Sequence, residues 1–313
     1  MSIRPESDPH DDSERLRAIM EKVRRIELRT RRLVDGRLAG HYQSVFRGRG
    51  LDFDSVREYV PGDEVRTIDW NVTARAGRPF VKQFREEREL VVWLLVDVSA
   101  SGDFGSGATT KRELAAELAC VLALSAVRNN DKVGLLMFTD RIEVHVPPAK
   151  GRRHAMRVVR EILACRPRGR GTDLAGALER VGRDALRRSV VFLLSDFELP
   201  DDGGVTLAKL ERAARPVGAR HDVVAFEVRD PHERALPALG LVTVEDAESG
   251  DVVTIDTGRR RVRERFAALA AQRDADMGRA LRRLRIETLP LDTSRAYLPA
   301  LLGFFESRER RMS

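Results

Sequence analysis

Asp97-Val98-Ser99-Ala100-Ser101 sets a carboxylate and two hydroxyls at alternate positions immediately after a continuous apolar run, Val91 to Val96. In extended or gently turning backbone, alternate side chains fall on one side, so this pentapeptide can aim three oxygens at one point. Two other stretches carry the same chemistry. Ser195-Asp196 closes a second apolar run, and Gly169-Arg170-Gly171-Thr172-Asp173 offers a hydroxyl in a glycine-rich loop ahead of a helix. Asp97, Ser99, Ser101, Thr172 and Asp196 together present only oxygen. Such a set suits a small hard cation such as Mg²⁺, which keeps several waters and takes one or two carboxylates. It suits Zn²⁺ or Cu²⁺ poorly, since no His or Cys joins it. For the pentapeptide alone, a capped turn without a ligand is the competing reading.

The elements that must position these residues alternate between strand and helix. Val91–Val96, Lys132–Phe138, Ser189–Leu194 and Asp222–Val228 are short apolar runs of the kind that forms strands buried on both faces. Ile142–Val146 alternates like an edge strand, joined by an Asp140-Arg141 turn. Helices are expected at Lys111–Arg128, Arg152–Ala164, Val205–Ala214 and Arg259–Leu284, followed by a short strand at Arg285–Leu289 and a C-terminal amphipathic helix. Residues 241–257 are expected to form a hairpin turning at Glu248-Ser249-Gly250. The pattern predicts an α/β fold: a doubly wound, mostly parallel sheet covered on both faces. In such a sheet ligands collect at the carboxyl ends of the strands, where Asp97 and Asp196 stand.

Ahead of this domain, residues 1–40 are expected to form a tail and a helix, Asp11–Leu38, with Leu16, Ile19, Met20, Val23 and Ile26 on one face. Residues 41–89 change texture to short pieces punctuated by Gly48, Gly50, Pro61-Gly62, Gly77 and Pro79, which predicts a compact irregular β module. Residues 90–313 then form the sheet domain, with the 241–257 hairpin inserted.

Composition narrows the function. Net charge is +7, carried by 56 Lys+Arg against 49 Asp+Glu. Arg259 to Arg285 alone accounts for that excess, so one face of one helix explains it. Aromatic residues make up 5% and no nucleic-acid motif interleaves rings with the basic run, which favours a solvated helix over a nucleic-acid groove. No charge-free stretch reaches the length of a membrane span, and the polar N-terminus lacks a signal-peptide apolar core. Cys120 and Cys165 belong to no metal-spaced cluster and are expected to be reduced thiols. A cytoplasmic location is the expectation.

The Asp-x-Ser-x-Ser after the first buried strand, the Gly-Thr-Asp loop and Asp196 after a later core strand resemble the metal-ion-dependent adhesion site of von Willebrand factor A domains. A longer spaced signature adds to it: Gly48-Arg49-Gly50-Leu51-Asp52-Phe53, Arg57-Glu58-Tyr59, Pro61-Gly62-Asp63-Glu64, Arg66, Ile68-Asp69-Trp70 and Ala74-Arg75. It resembles the bacterial MoxR-associated "domain of unknown function 58" family, whose members place this segment directly before an A-type domain. The resemblance implies a MoxR-type AAA+ ATPase as partner and a role in assembly or activation. Relatives with N-terminal membrane helices exist, but that attachment does not carry over. From the residues themselves, Arg57, Arg66 and Arg75 alternating with Asp52, Asp54, Asp63 and Asp69 suggest paired charges bracketing Phe53, Tyr59 and Trp70.

The expected activity is therefore non-enzymatic: Asp97, Ser99 and Ser101 hold Mg²⁺, Thr172 and Asp196 join directly or through water, and an acidic side chain of a protein partner completes the shell. Arg166, Arg168 and Arg170 would steer that acid. A Mg²⁺-dependent phosphohydrolase with Asp97 as nucleophile is the rival, weakened because Ser99 stands where such enzymes place a second acid. Gly105-Ser106-Gly107 is neither a dinucleotide turn nor a P-loop, and no serine-hydrolase elbow or zinc-protease motif occurs.

Overall fold

The computed structural model describes residues 39–46, 51–86, 90–199, 202–247 and 250–312, together with positions 20–21, 23–26, 28 and 30. The expected Asp11–Leu38 helix lies largely outside the described residues. Its described positions are helical, and Val23 and Ile26 pack on Cys120 and Val159 as the apolar face requires, whereas Met20 is exposed.

A short helix α1 (Ala39–Phe46) leads into a two-stranded antiparallel ribbon, β1 (Leu51–Glu58) and β2 (Phe80–Glu86), with helix α2 (Trp70–Ala76) between them. The ribbon strands pair with each other and do not extend the main sheet. The turn at Pro61-Gly62-Asp63 is fastened by a bidentate ion pair: Arg57 Nη1 and Nη2 each donate to Asp63 at 2.7 Å. Val60 N–H also donates to Asp63, at 2.9 Å. Asp69 caps α2 by accepting from the Asn71 and Val72 N–H groups. Trp70 is 66% exposed, so the paired charges do not enclose it as the sequence suggested.

The main sheet has six strands: β3 (Val91–Asp97), β4 (Lys132–Phe138), β5 (Ile142–Ala149), β6 (Val190–Ser195), β7 (Asp222–Arg229) and β10 (Glu287–Asp292), in the order β10-β7-β6-β3-β4-β5. All neighbours are parallel except β5, an antiparallel edge strand. Side-chain alternation splits the central strands between two cores. Val92, Leu94 and Val96 face α1, α3 (Lys111–Arg128), α4 (Arg152–Ala164) and the C-terminal helix α8 (Tyr297–Met312). Trp93 and Leu95 face α5 (Leu174–Asp184), α6 (Val205–Arg220) and α7 (Arg260–Arg283). A strand buried on both faces has no polar side to show, which is why these strands are uninterrupted apolar runs. The α/β, doubly wound, mostly parallel architecture is as expected.

Several boundaries differ. Helix α6 continues six residues beyond Ala214, to Arg220, with Pro216 inside it. Proline removes one backbone bond there, but Leu210, Ala213, Ala214 and Val217 form one buried stripe that carries the helix past it. Strand β5 runs on through Pro147-Pro148, which an edge tolerates because one side of its ladder is unpaired. The last strand begins at Glu287, since Arg285 takes a left-handed φ of 57° in leaving α7. The hairpin forms as β8 (Leu241–Glu245) and β9 (Val252–Asp256), with its turn residues 248–249 outside the described part.

The α3 connection leaves β3 toward one face and the α6 connection leaves β6 toward the other. The carboxyl ends of β3 and β6 therefore flank a switch point, where a doubly wound sheet opens a crevice.

Candidate metal centre

Asp97 ends β3 and Asp196 follows β6, and the two strands are parallel neighbours. Each carboxylate is held from its own loop. Asp97 Oδ1 accepts from Ser99 N–H at 2.9 Å and Oδ2 from Ser195 Oγ at 2.7 Å. Asp196 Oδ1 accepts from Glu198 N–H at 3.1 Å, and Oδ2 accepts from Ser101 Oγ at 2.7 Å. The Ser99 and Ser101 hydroxyls meet at 3.0 Å. The chain leaves β6 through Phe197, whose left-handed φ of 57° is unusual for a bulky residue, and Phe197 N–H donates to Ser195 Oγ. This turn sets Ser195 and Asp196 toward Asp97 and Ser101.

Asp97, Ser99, Ser101, Ser195 and Asp196 line a cavity of about 20 Å³, together with Lys111. That is room for one water-sized occupant. Thus four of the five expected ligand residues, Asp97, Ser99, Ser101 and Asp196, converge. Thr172 is half-buried and does not line the cavity, although Arg170 O accepts from Ala100 N–H at 3.1 Å and ties its loop to the end of β3. Arg166, Arg168 and Arg170 are exposed on that loop.

Two arrangements escaped the sequence reading, the Lys111–Glu233 pair and Glu143. Lys111, the first residue of α3, is 2% exposed, and its Nζ donates to Asp196 Oδ2 at 2.6 Å and to Glu233 Oε1 at 2.5 Å. Burial lowers its pKa, but the Asp196 and Glu233 charges more than compensate and raise it, so it is an ammonium. Glu233 reaches it from a turn capped by Asp230, whose Oδ1 accepts from His232 N–H and whose Oδ2 accepts from Ser106 N–H and Thr293 Oγ1. A sequence signal existed. Lysine is rare in this arginine-rich chain, and a cation opening an apolar helix stands at the positive end of its dipole, which calls for an acid opposite. The second is Glu143 on β5, whose Oε1 accepts from Arg168 N–H at 3.0 Å and Gly169 N–H at 2.7 Å and so clamps the Thr172 loop.

The electrostatics ask for positive charge. Burial and the neighbouring Asp196 charge raise Asp97 to about 7, against the opposing hydrogen bonds from Ser99 and Ser195. Burial likewise raises Glu233, with Lys111 pulling it back. Asp97, Asp196 and Glu233 are answered here by the Lys111 ammonium, and Arg112, which lines the same cavity, pairs with Asp103. Among the described residues no group of three or more His, Cys, Asp or Glu is placed to hold a metal, so a cation here would depend on the serine hydroxyls as well. An all-oxygen, partly charged donor set of this kind fits Mg²⁺.

The arginine-rich helix α7 carries much of its charge in pairs: Arg260 with Glu264, Arg273 with Glu198, Arg279 with Asp276 and Arg283 with Glu211. Among the described residues, no helix is long and apolar enough to cross a membrane. Beside the small cavity a wider one of about 640 Å³ opens under the β8–β9 hairpin, with Ser101 in the wall of both. Phe104, Leu199, Leu236, Val244 and Phe266 make its lining largely apolar.

Fold and site together describe a doubly wound, mostly parallel α/β domain with its crevice at the β3–β6 switch point, preceded by a charged ribbon module. The chain belongs to the family described as "Protein of unknown function DUF58", whose model matches residues 55–276. An uncharacterized protein of Mycobacterium tuberculosis, Rv1480, is 36% identical over 292 residues, covering 92% of this chain and 89% of its own length. An uncharacterized protein of Mycobacterium avium is 34% identical over 168 residues, covering 52% of this chain and 94% of its own. Similar solved structures include the conserved hypothetical protein BatB from Bacteroides thetaiotaomicron, at 18% identity and TM-score 0.44, covering 71% of this chain and 99% of that one. Another is a von Willebrand factor type A protein from Catenulispora acidiphila, at 16% identity and TM-score 0.40, covering 74% of this chain and 44% of that one.

Proposed function

We propose that this protein is a non-enzymatic, metal-dependent interaction adaptor working with a MoxR-type AAA+ ATPase in the assembly or activation of a complex. The observation that carries this reading is the convergence of Asp97, Ser99, Ser101 and Asp196 on a water-sized cavity at the sheet's switch point. Asp97, Ser99 and Ser101 would hold Mg²⁺, with Asp196 and Thr172 contributing directly or through water. A bound Mg²⁺ supplies an electrophilic point with a coordination position left for a partner's Asp or Glu. The protein's own residues do the rest. Ser195 and Ser99 orient Asp97, Ser101 orients Asp196, and the exposed Arg166, Arg168 and Arg170 favour the approach of an acidic partner. The apolar cavity beneath the hairpin adds surface that a docked protein can cover.

The phosphohydrolase reading has less support. Ser99 stands two residues after Asp97, where such an enzyme needs a second acid to protonate the leaving group, and the hydroxyl of Ser99 meets Ser101 Oγ at 3.0 Å. The deciding experiment immobilises the chain and passes a purified MoxR-type ATPase from the same genome over it, with Mg²⁺ or with EDTA. Capture in Mg²⁺, lost in EDTA and lost in Asp97→Ala with an unchanged circular dichroism spectrum, is the expected result. Capture indifferent to both treatments would overturn it.

A further inference from the structure

Docking through a bound cation does not require a buried lysine, yet Lys111 stands in the wall of the metal cavity. Its position is costly in two ways: it is 2% exposed, and it begins an 18-residue helix whose amide dipoles disfavour a cation at that end. Its ammonium takes Asp196 Oδ2, the same oxygen that Ser101 Oγ donates to, while Glu198 N–H takes Oδ1. Neither oxygen of Asp196 is therefore uncommitted. Glu233 gives the ammonium a second position, at 2.5 Å, on a turn separate from both site loops. The buried Glu233 Oε2 atom has no hydrogen-bond partner among the described residues, so this carboxylate has capacity to take more of the ammonium. Asp230, fully buried, fixes the turn that presents it.

We propose that Lys111 is a tethered cation that competes with the divalent ion for Asp196, and that Glu233 is the berth to which it withdraws when the ion binds. This rests on the metal-site reading above. The ion and the ammonium are both drawn to Asp196 at short range, where like charges in a poorly solvated crevice repel strongly. Metal affinity is thereby held low, and occupancy becomes responsive to the metal concentration or to a partner that adds its own carboxylate.

The test titrates the full chain with Mn²⁺ alone and follows free Mn²⁺ by electron spin resonance. Lys111→Met is expected to bind Mn²⁺ at least tenfold more tightly than wild type, and Glu233→Gln at least fivefold more weakly. In the Lys111→Met background, adding Glu233→Gln is expected to change the affinity less than twofold, because the glutamate acts through the lysine. A plain loss of acidic charge would weaken binding equally in both backgrounds and so overturn the berth. Lys111→Gln, which keeps a donor for Asp196 without the charge, should tighten binding in the same direction if Lys111→Met does not fold. Wild-type binding that Asp97→Ala abolishes, with no gain from either Lys111 variant, would sink the competition while leaving the metal site standing. Absence of Mn²⁺ binding in the wild type and in both Lys111 variants would overturn the metal reading and this proposal together.

Discussion

The molecule has two clusters in which cations meet carboxylates, one local in sequence and one assembled from distant segments, and they differ in physics. In the ribbon module, Arg57 grips Asp63 with two parallel hydrogen bonds, and both side chains are partly in water. At the switch point, Lys111 sits between Asp196 and Glu233 with almost no exposure, next to a further buried acid, Asp97. The exposed pair gives little net energy and fastens a turn whose Gly62, at φ 114°, needs a hand to close it. The buried cluster holds carboxylates and an ammonium out of water, an arrangement that well-packed apolar residues would better if stability were the only demand. The first is a device of shape. The second keeps charge in a poorly solvated crevice, which stability alone does not call for.

The sharpest way to break this contrast is at Asp230, the fully buried carboxylate that ties the Ser106 loop, the Glu233 turn and Thr293 together. Asp230→Ala leaves those donors without acceptors, and we expect a loss of about 4 kcal/mol in chemical denaturation. Mn²⁺ affinity should shift as well, because Glu233 loses its support. A change within the error of the melt would mean that the turn is held by its backbone alone. Next in size is Gly169, where an added Cβ would stand 2.0 Å from Asp140 Oδ1 and 2.2 Å from Thr139 Oγ1. Gly169→Ala must displace the Asp140 and Thr139 side chains, and with Thr139 buried the Thr172 loop shifts too, at a cost of about 2 kcal/mol. If Thr172 contributes to the metal shell, capture of the ATPase in Mg²⁺ falls with it. A variant that loses stability but keeps full capture would remove Thr172 from the site.

The sheet was readable because its central strands are buried on both faces, which leaves no room for polar interruptions: VVWLLV, KVGLLMF and SVVFLL announce themselves. Asp97, Ser99, Ser101 and Asp196 were readable because they follow those runs directly. Lys111, Glu233 and Glu143 were not, because they reach the switch-point region from a helix start, a turn after β7 and an edge strand, and only the tertiary fold brings these together. Their pairing spans 122 residues in one case, beyond any local pattern. The expected end of α6 at Ala214 falls short of Arg220 for a related reason: local chemistry around Pro216 favours a helix end, while the buried stripe that carries the helix past it is a property of packing. Trp70, grouped with paired charges in the sequence, stands out in solvent, while its neighbour Asp69 caps α2 and lies 3.8 Å from Lys82.

The smallest effect sharpens the exposed side of the contrast. The Arg57 guanidinium, and after it Val60 N–H, hold Asp63 at about 2 against an ordinary 3.8. Because the folded value lies below the unfolded one, the unfolded chain takes up more protons as acid is added. The turn's contribution is therefore complete above about pH 4 and is lost as pH falls through about 2. At neutral pH and moderate salt, Asp63→Asn should leave the melting temperature nearly unchanged, since the pair is water-exposed and screened. A carboxyl titration by nuclear magnetic resonance should place the Asp63 midpoint below the ordinary value and return it toward that value in Arg57→Gln. An Asp63 midpoint near 4 in the wild type would show that the turn closes without the pair, and the module would then owe its shape to Gly62 and Pro61 alone.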